Sequence, residues 1–220
     1  MKFFLDSAIV EEVRYALDNL YIDGVTTNPR HVQTSGKPFL TVIREIGEMV
    51  EGTEKTVSVE VNPHLTDVND ILREARKLAG MSPNFVIKLQ CIEPCLRAVP
   101  ILLKEGIRTN VTLVFSAVQA LQAMRLGAFY VSPFIGWKEN NGEDTVQFLQ
   151  DIITIRNNYG FKTQVLAAAI RSGQKIVQAA VAGADIVTAG LDVYKAALEH
   201  PYTDDGIRKF TTFWDKTPYE

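Results

Sequence analysis

Lys88 stands inside an otherwise apolar run, Asn84-Phe85-Val86-Ile87-Lys88-Leu89. Runs of branched and aromatic side chains of this length read as a strand buried on both faces. Burial strips water from an ammonium and favours the neutral amine, the form that attacks a carbonyl carbon to make a Schiff base. Residues with matching chemistry occur elsewhere in the chain. Asp6 and Glu60 are carboxylates that can move protons, and Thr112 offers a hydroxyl that a bridging water could link to Glu60 and the lysine. Asn28 and Asn110 suit the hydroxyls of a ketose, with Thr27, Ser132 and Thr188 as further hydroxyls, and Arg171 with Arg30 suits an anionic tail. Together these imply amine catalysis on a ketose: attack at C2, loss of water, then C3–C4 cleavage into the electron-withdrawing iminium. Each residue also has a plainer reading. Lys88 could snorkel to solvent or be neutralised by Glu60. Asp6 could cap a first helix with Ser7, and Thr27-Asn28-Pro29 could be a turn.

The elements that must position these groups alternate from end to end. Strand-like runs are Phe3 to Leu5, Gly24 to Thr27, Val57 to Val61, the Lys88 run, Thr109 to Val114, Phe129 to Ser132, Thr163 to Ala168 and Ile186 to Thr188. Between them fall helical patterns at Ala8 to Leu20, Pro38 to Val50, Asp67 to Leu78, Cys95 to Glu105, Ala117 to Leu126, Asp144 to Tyr159, Gly173 to Ala182 and Asp192 to Leu198. Parallel strands need such crossover helices. Dividing 220 residues by eight gives about 27 per unit, near the ~30 of a (β/α)8 TIM barrel. A doubly wound sheet would carry a Gly-rich turn after its first strand, where this chain has Asp6-Ser7-Ala8. The expectation is one α/β barrel domain over residues 1–220, with 203–220 as a C-terminal helical extension. In a barrel the chemistry sits at the C-terminal strand ends. Asp6, Thr27, Asn28, Glu60, Lys88, Asn110, Thr112, Ser132, Phe134, Arg171 and Thr188 all read to that rim. The extension sets Ile207, Phe210, Phe213 and Trp214 on one helical stripe, which suits docking on a neighbouring subunit.

Bulk composition narrows the classes. The chain is 46% hydrophobic with a formal net charge of -3, so no basic field invites nucleic acid. No run approaches the ~20 apolar residues of a membrane span. Met1-Lys2-Phe3-Phe4-Leu5-Asp6 reaches a carboxylate too early for a secretory h-region, which points to the cytoplasm. Cys91 and Cys95 read as core or near-core thiols. His31, His64 and His200 lack metal-ligand spacing, so no metal is expected.

Gly24-Val25-Thr26-Thr27-Asn28-Pro29 resembles the transaldolase signature, and the Lys88 strand stands where that family keeps its Schiff-base lysine. The resemblance covers essentially the whole chain and falls in the small branch that includes fructose 6-phosphate aldolase. Asp6, Asn28, Glu60, Lys88, Asn110, Thr112, Ser132, Phe134 and Arg171 each match a position the family uses. The resemblance implies no metal and no organic cofactor, and a homo-oligomer, a pentamer or decamer, whose C-terminal helix reaches a neighbour. The branch's aldolases place glutamine at the Glu60 position and tyrosine at the Phe134 position. This chain has the transaldolase pair, which favours transfer to an acceptor aldehyde over simple cleavage.

Departures from the pattern cluster at the tail end. Arg30 and His31 follow Thr-Asn-Pro where a small residue is usual, and Trp137 stands where a phosphate-binding arginine is expected. Ala169 replaces a serine, while Gln90 and Ile92 replace a proline and a threonine after the lysine. Trading an arginine for a tryptophan suits a tail with less charge than a phosphate dianion. The chain therefore resembles the transaldolases of sulfosugar breakdown. These split 6-deoxy-6-sulfofructose, pass the dihydroxyacetone unit to glyceraldehyde 3-phosphate and release sulfolactaldehyde. An ordinary phosphosugar transaldolase or fructose 6-phosphate aldolase is the near alternative, and a non-catalytic sugar-binding barrel the distant one.

Overall fold

The computed structural model describes residues 1–220. Eight parallel strands close into a barrel in sequence order: β1 (Lys2–Asp6), β2 (Gly24–Thr26), β3 (Thr56–Glu60), β4 (Phe85–Gln90), β5 (Thr109–Val114), β6 (Tyr130–Pro133), β7 (Gln164–Ile170) and β8 (Ile186–Ala189). Around it run α1 (Val10–Asn19), α2 (Pro29–Ser35), α3 (Phe39–Met49), α4 (Val68–Ala79), α5 (Glu93–Lys104), α6 (Ala117–Arg125), α7 (Ile135–Asn140), α8 (Thr145–Asn158), α9 (Gly173–Ala182), α10 (Leu191–Leu198) and α11 (Pro201–Trp214). No helix is long and apolar enough to cross a membrane.

Two helices lie outside the helical patterns read from the sequence. α2 begins at Thr-Asn-Pro itself: the Asn28 side chain accepts from the His31 N–H and Pro29 opens the first turn, a proline position that sacrifices no helical hydrogen bond. α7 follows β6 directly and has no side-chain N-cap. It is braced instead from outside. Lys138 donates to the Phe115 carbonyl at 3.1 Å and pairs with Glu143, while Glu139 pairs with Lys175.

The barrel's lower interior is a closed apolar floor of Phe4, Val86, Tyr130, Leu166 and Ile186. The Tyr130 ring meets Phe4 edge-on at 6.0 Å. Gly24 makes room for this plug, because a Cβ there would lie 2.6 Å from Phe4 Cζ and 2.7 Å from the Thr56 carbonyl. Register then stacks the polar layer above the floor: Glu60 pairs with Lys88 across β3 and β4, and Lys88 with Asn110 across β4 and β5. At the rim, the registers of β5 on β6 and β7 on β8 both shift. Leu113 and Ala169, each at φ 57°, sit within those shifts. A left-handed conformation costs a non-glycine residue roughly 1–2 kcal/mol, and such irregularities re-aim the chain beside active sites.

Candidate active site

A cavity of about 360 Å³ opens at the C-terminal rim and is lined by Lys88, Glu60, Asp6, Thr112, Ser132 and Phe134 below, with Asn28, Arg30, His31, Trp137 and Arg171 among its other walls. Lys88 is only 4% exposed. Its Nζ donates to the Thr27 carbonyl at 2.9 Å and lies 3.3 Å from Glu60 Oε2. A buried charge persists only when paired, and here both partners are oxygens from the preceding strands.

Asp6 lines the same cavity. Its Oδ1 accepts from the Thr26 hydroxyl at 2.7 Å, and its Oδ2 lies 3.3 Å from His31 Nε2. It does not cap α1, which starts at Val10 without a side-chain cap. Burial pushes the Asp6 carboxyl up, but the His31 hydrogen bond and charge, the Lys88 charge and the Thr26 hydroxyl outweigh it and hold the group below its ordinary value. Asp6 is thus a poised carboxylate at neutral pH.

Two residues assigned to substrate binding from sequence stand beneath the cavity wall. Asn110 is fully buried, with its amide donating to Ser58 at 3.0 Å and its carbonyl oxygen accepting from Ser132 at 2.7 Å. The Thr27 hydroxyl is turned onto the Ser58 carbonyl at 2.8 Å, so Thr27 meets Lys88 through its backbone alone. Both brace the groups above them. Thr112 differs: its hydroxyl oxygen is buried without a hydrogen-bond partner, although it lines the cavity. An unpaired buried hydroxyl carries a real penalty, and a bound polyol or water would satisfy it.

The cavity lining is also cationic and aromatic. Arg171 Nη1 donates to Asn140 Oδ1 at 2.9 Å. Trp137 packs tilted on Phe115 at 5.8 Å and edge-on to Phe134 at 5.6 Å. Gly136 lets the first turn of α7 lie close against β7 and Arg171: a Cβ there would lie 2.3 Å from the Ala169 carbonyl and 3.0 Å from Arg171 Nε. Arg30 reaches the same cavity from the first turn of α2.

His31 is the functional candidate that the sequence reading passed over, because a lone histidine without ligand spacing carries little signal. Its place three residues after the Asn28 cap was the available clue. Cys91 and Cys95 are both free thiols.

A closed parallel barrel with a buried lysine and two carboxylates on its C-terminal rim defines an aldolase-type barrel. The chain belongs to the Transaldolase/Fructose-6-phosphate aldolase family, whose sequence model matches residues 3–218. Among its relatives, the 6-deoxy-6-sulfo-D-fructose transaldolase of Priestia aryabhattai is 56% identical over 221 aligned positions, covering 100% of this chain and 98% of that protein. A "probable transaldolase" of Dictyoglomus turgidum is 42% identical, covering 99% of this chain and 100% of that protein. A thiamine phosphate pyrophosphorylase from Pyrococcus furiosus shares the fold, with a TM-score of 0.62 at 14% identity over 89% of this chain and 91% of its own.

Proposed function

We propose that this protein is a Schiff-base transaldolase whose donor is a ketose with a sulfonate tail, 6-deoxy-6-sulfofructose, and whose acceptor is an aldehyde such as glyceraldehyde 3-phosphate. The observation that carries this reading is one cavity lined by Lys88, Glu60 and Asp6 together with Arg30, Trp137 and Arg171, with Glu60 3.3 Å from the Lys88 amine. The 56% identity to a sulfofructose transaldolase over the full chain supports it.

In this reading Glu60 and Asp6 divide the labour. Glu60, beside Nζ, takes a proton from Lys88 so that the amine attacks the C2 carbonyl. The same carboxyl then returns a proton to the carbinolamine oxygen, which leaves as water. Asp6, ionised and lining the same cavity, removes the C4 hydroxyl proton as the C3–C4 bond breaks and its electrons enter the iminium. The released product is the aldehyde bearing the anionic tail. The remaining enamine attacks the acceptor aldehyde, Asp6 returns its proton, and water hydrolyses the new imine to regenerate Lys88. Thr112 stands ready to hold a substrate hydroxyl or the water. The flanking guanidiniums supply charge-assisted hydrogen bonds to the sulfonate, and the indole N–H adds a neutral donor in place of a third cation.

The test is donor turnover with glyceraldehyde 3-phosphate as acceptor. Sulfofructose should be preferred over fructose 6-phosphate, and Arg30→Ala should raise KM for sulfofructose by about ten- to a hundredfold while hardly changing turnover of an uncharged ketose. A clear preference for the phosphosugar would make this an ordinary transaldolase. Equal losses on both donors would give Arg30 a structural role.

The same reading includes a cytoplasmic homo-oligomer, a pentamer or decamer. Free thiols suit a reducing compartment. On α11, Tyr202, Ile207, Phe210, Phe213 and Trp214 are 59–80% exposed, and a run of large apolar side chains left bare on one helix suits a subunit contact. In sedimentation velocity the wild type should run as the assembly, and Phe210→Asp combined with Trp214→Asp should run smaller. A monomeric wild type would sink the assembly claim.

A further inference from the structure

Behind Glu60, away from the cavity, lies a side chain that the mechanism above does not use. Gln90, the last residue of β4, is 7% exposed. Its Nε2 donates to Glu60 Oε1 at 2.9 Å and lies 3.4 Å from the Val61 carbonyl. Its Oε1 accepts from Cys95 Sγ at 3.4 Å. The orientation of this carboxamide is forced by chemistry. An ionised carboxylate only accepts hydrogen bonds, so the amide nitrogen must face Glu60 and the amide oxygen must face Cys95. Burial pushes the Cys95 thiol up to about 11, which keeps it an S–H donor at neutral pH. The thiol thus donates to the carboxamide, and the carboxamide and the Lys88 amine converge on the two oxygens of the carboxylate. The carboxamide occupies one Glu60 oxygen and leaves the other 3.3 Å from Lys88 Nζ.

We infer that Gln90 is a positioning residue for the proton transfers of Glu60, fixing Oε1 so that Oε2 stays aimed at the Lys88 amine. This rests on the transaldolase reading of the site. Without the carboxamide, the Glu60 carboxylate is free to rotate about its last bonds, and proton transfer demands near-contact geometry. Gln90 does not line the cavity, so its loss should spare substrate binding.

The experiment is a double-mutant cycle in the full-length protein, using Gln90→Met, which keeps length and removes both polar groups, and Glu60→Gln. In the wild-type background Gln90→Met should lower kcat and the rate of borohydride-trappable adduct formation by about tenfold, with KM for the ketose within about twofold. In the Glu60→Gln background the same substitution should change neither. Should Gln90→Met fold poorly by circular dichroism, Gln90→Asn, whose amide is one methylene too short to reach, is used in the same cycle with the same expected pattern. Equal losses in both backgrounds would overturn the inference and make Gln90 a packing residue. A Glu60→Gln protein that forms adduct at the wild-type rate would overturn the role of Glu60 itself, a separate failure visible before Gln90 is touched.

Discussion

After borohydride reduction in the presence of sulfofructose, wild-type protein should gain the mass of a reduced dihydroxyacetone unit, and Lys88→Met should gain nothing. Turnover of the variant should fall by about 10⁴-fold or more, the order of loss seen when a covalent nucleophile is deleted. Methionine is chosen because the slot is buried and a thioether of similar length fills it without opening a cavity. The substitution still leaves Glu60 without its cation. Breaking a buried pair commonly costs about 3–5 kcal/mol, reduced here because Gln90 continues to donate to Oε1. A lower Tm with retained secondary structure is therefore expected, and circular dichroism separates it from unfolding. An adduct surviving in Lys88→Met would place the nucleophile elsewhere. Adduct from fructose 6-phosphate alone would keep the mechanism and change the donor, and no adduct with any ketose would favour a binding protein.

Asp6→Asn should be the next most damaging change, lowering kcat by about 10²–10³-fold, the scale of a lost general base. Its signature is what accumulates. With carbon–carbon cleavage blocked, the trapped species should carry the mass of the whole ketose instead of the three-carbon unit. If the three-carbon adduct forms at the normal rate, Asp6 is not the base for cleavage.

The same residue gives a stability prediction. The Asp6 carboxyl is held below its ordinary value, net, against the upward push of burial. A depressed carboxyl contributes stability that is present above the unfolded value of ~3.9 and lost as pH falls through the lower folded value. The Tm advantage of wild type over Asp6→Asn should therefore be full near neutrality and shrink on acidification below about pH 4. A constant difference across that range would mean the His31 and Thr26 contacts do not favour the charged form.

Local pattern made the barrel readable. Eight strand-like runs, each followed by a helical period, forced a parallel sheet, and the rule that chemistry sits at the C-terminal strand ends collected Lys88, Glu60, Asp6 and Thr112. What stayed hidden depended on register and on helices too short to show a period. The Gln90–Glu60 bond joins residues 30 apart, which neighbouring strands bring together only once β3 and β4 are in register. α2 buries none of its residues, so no apolar stripe announced it, and nothing in the pattern set His31 beside Asp6. α7 is six residues long and lacks a capping side chain, so nothing local marked the helix that presents Trp137. Asn110 and Thr27 were placed at the correct height in the barrel. Their commitment to Ser58 is a side-chain choice that a pattern of residue types does not reveal.

Arg30, Trp137 and Arg171 share one cavity with Lys88, and that arrangement has a kinetic consequence. In the proposed reaction the outgoing aldehyde and the incoming acceptor both carry an anionic tail and would visit the same cations in succession. They are rivals for a single intermediate, the enzyme carrying the three-carbon fragment. Product aldehyde should therefore inhibit competitively against acceptor. Net flux would then follow the ratio of the two aldehydes more closely than the supply of ketose.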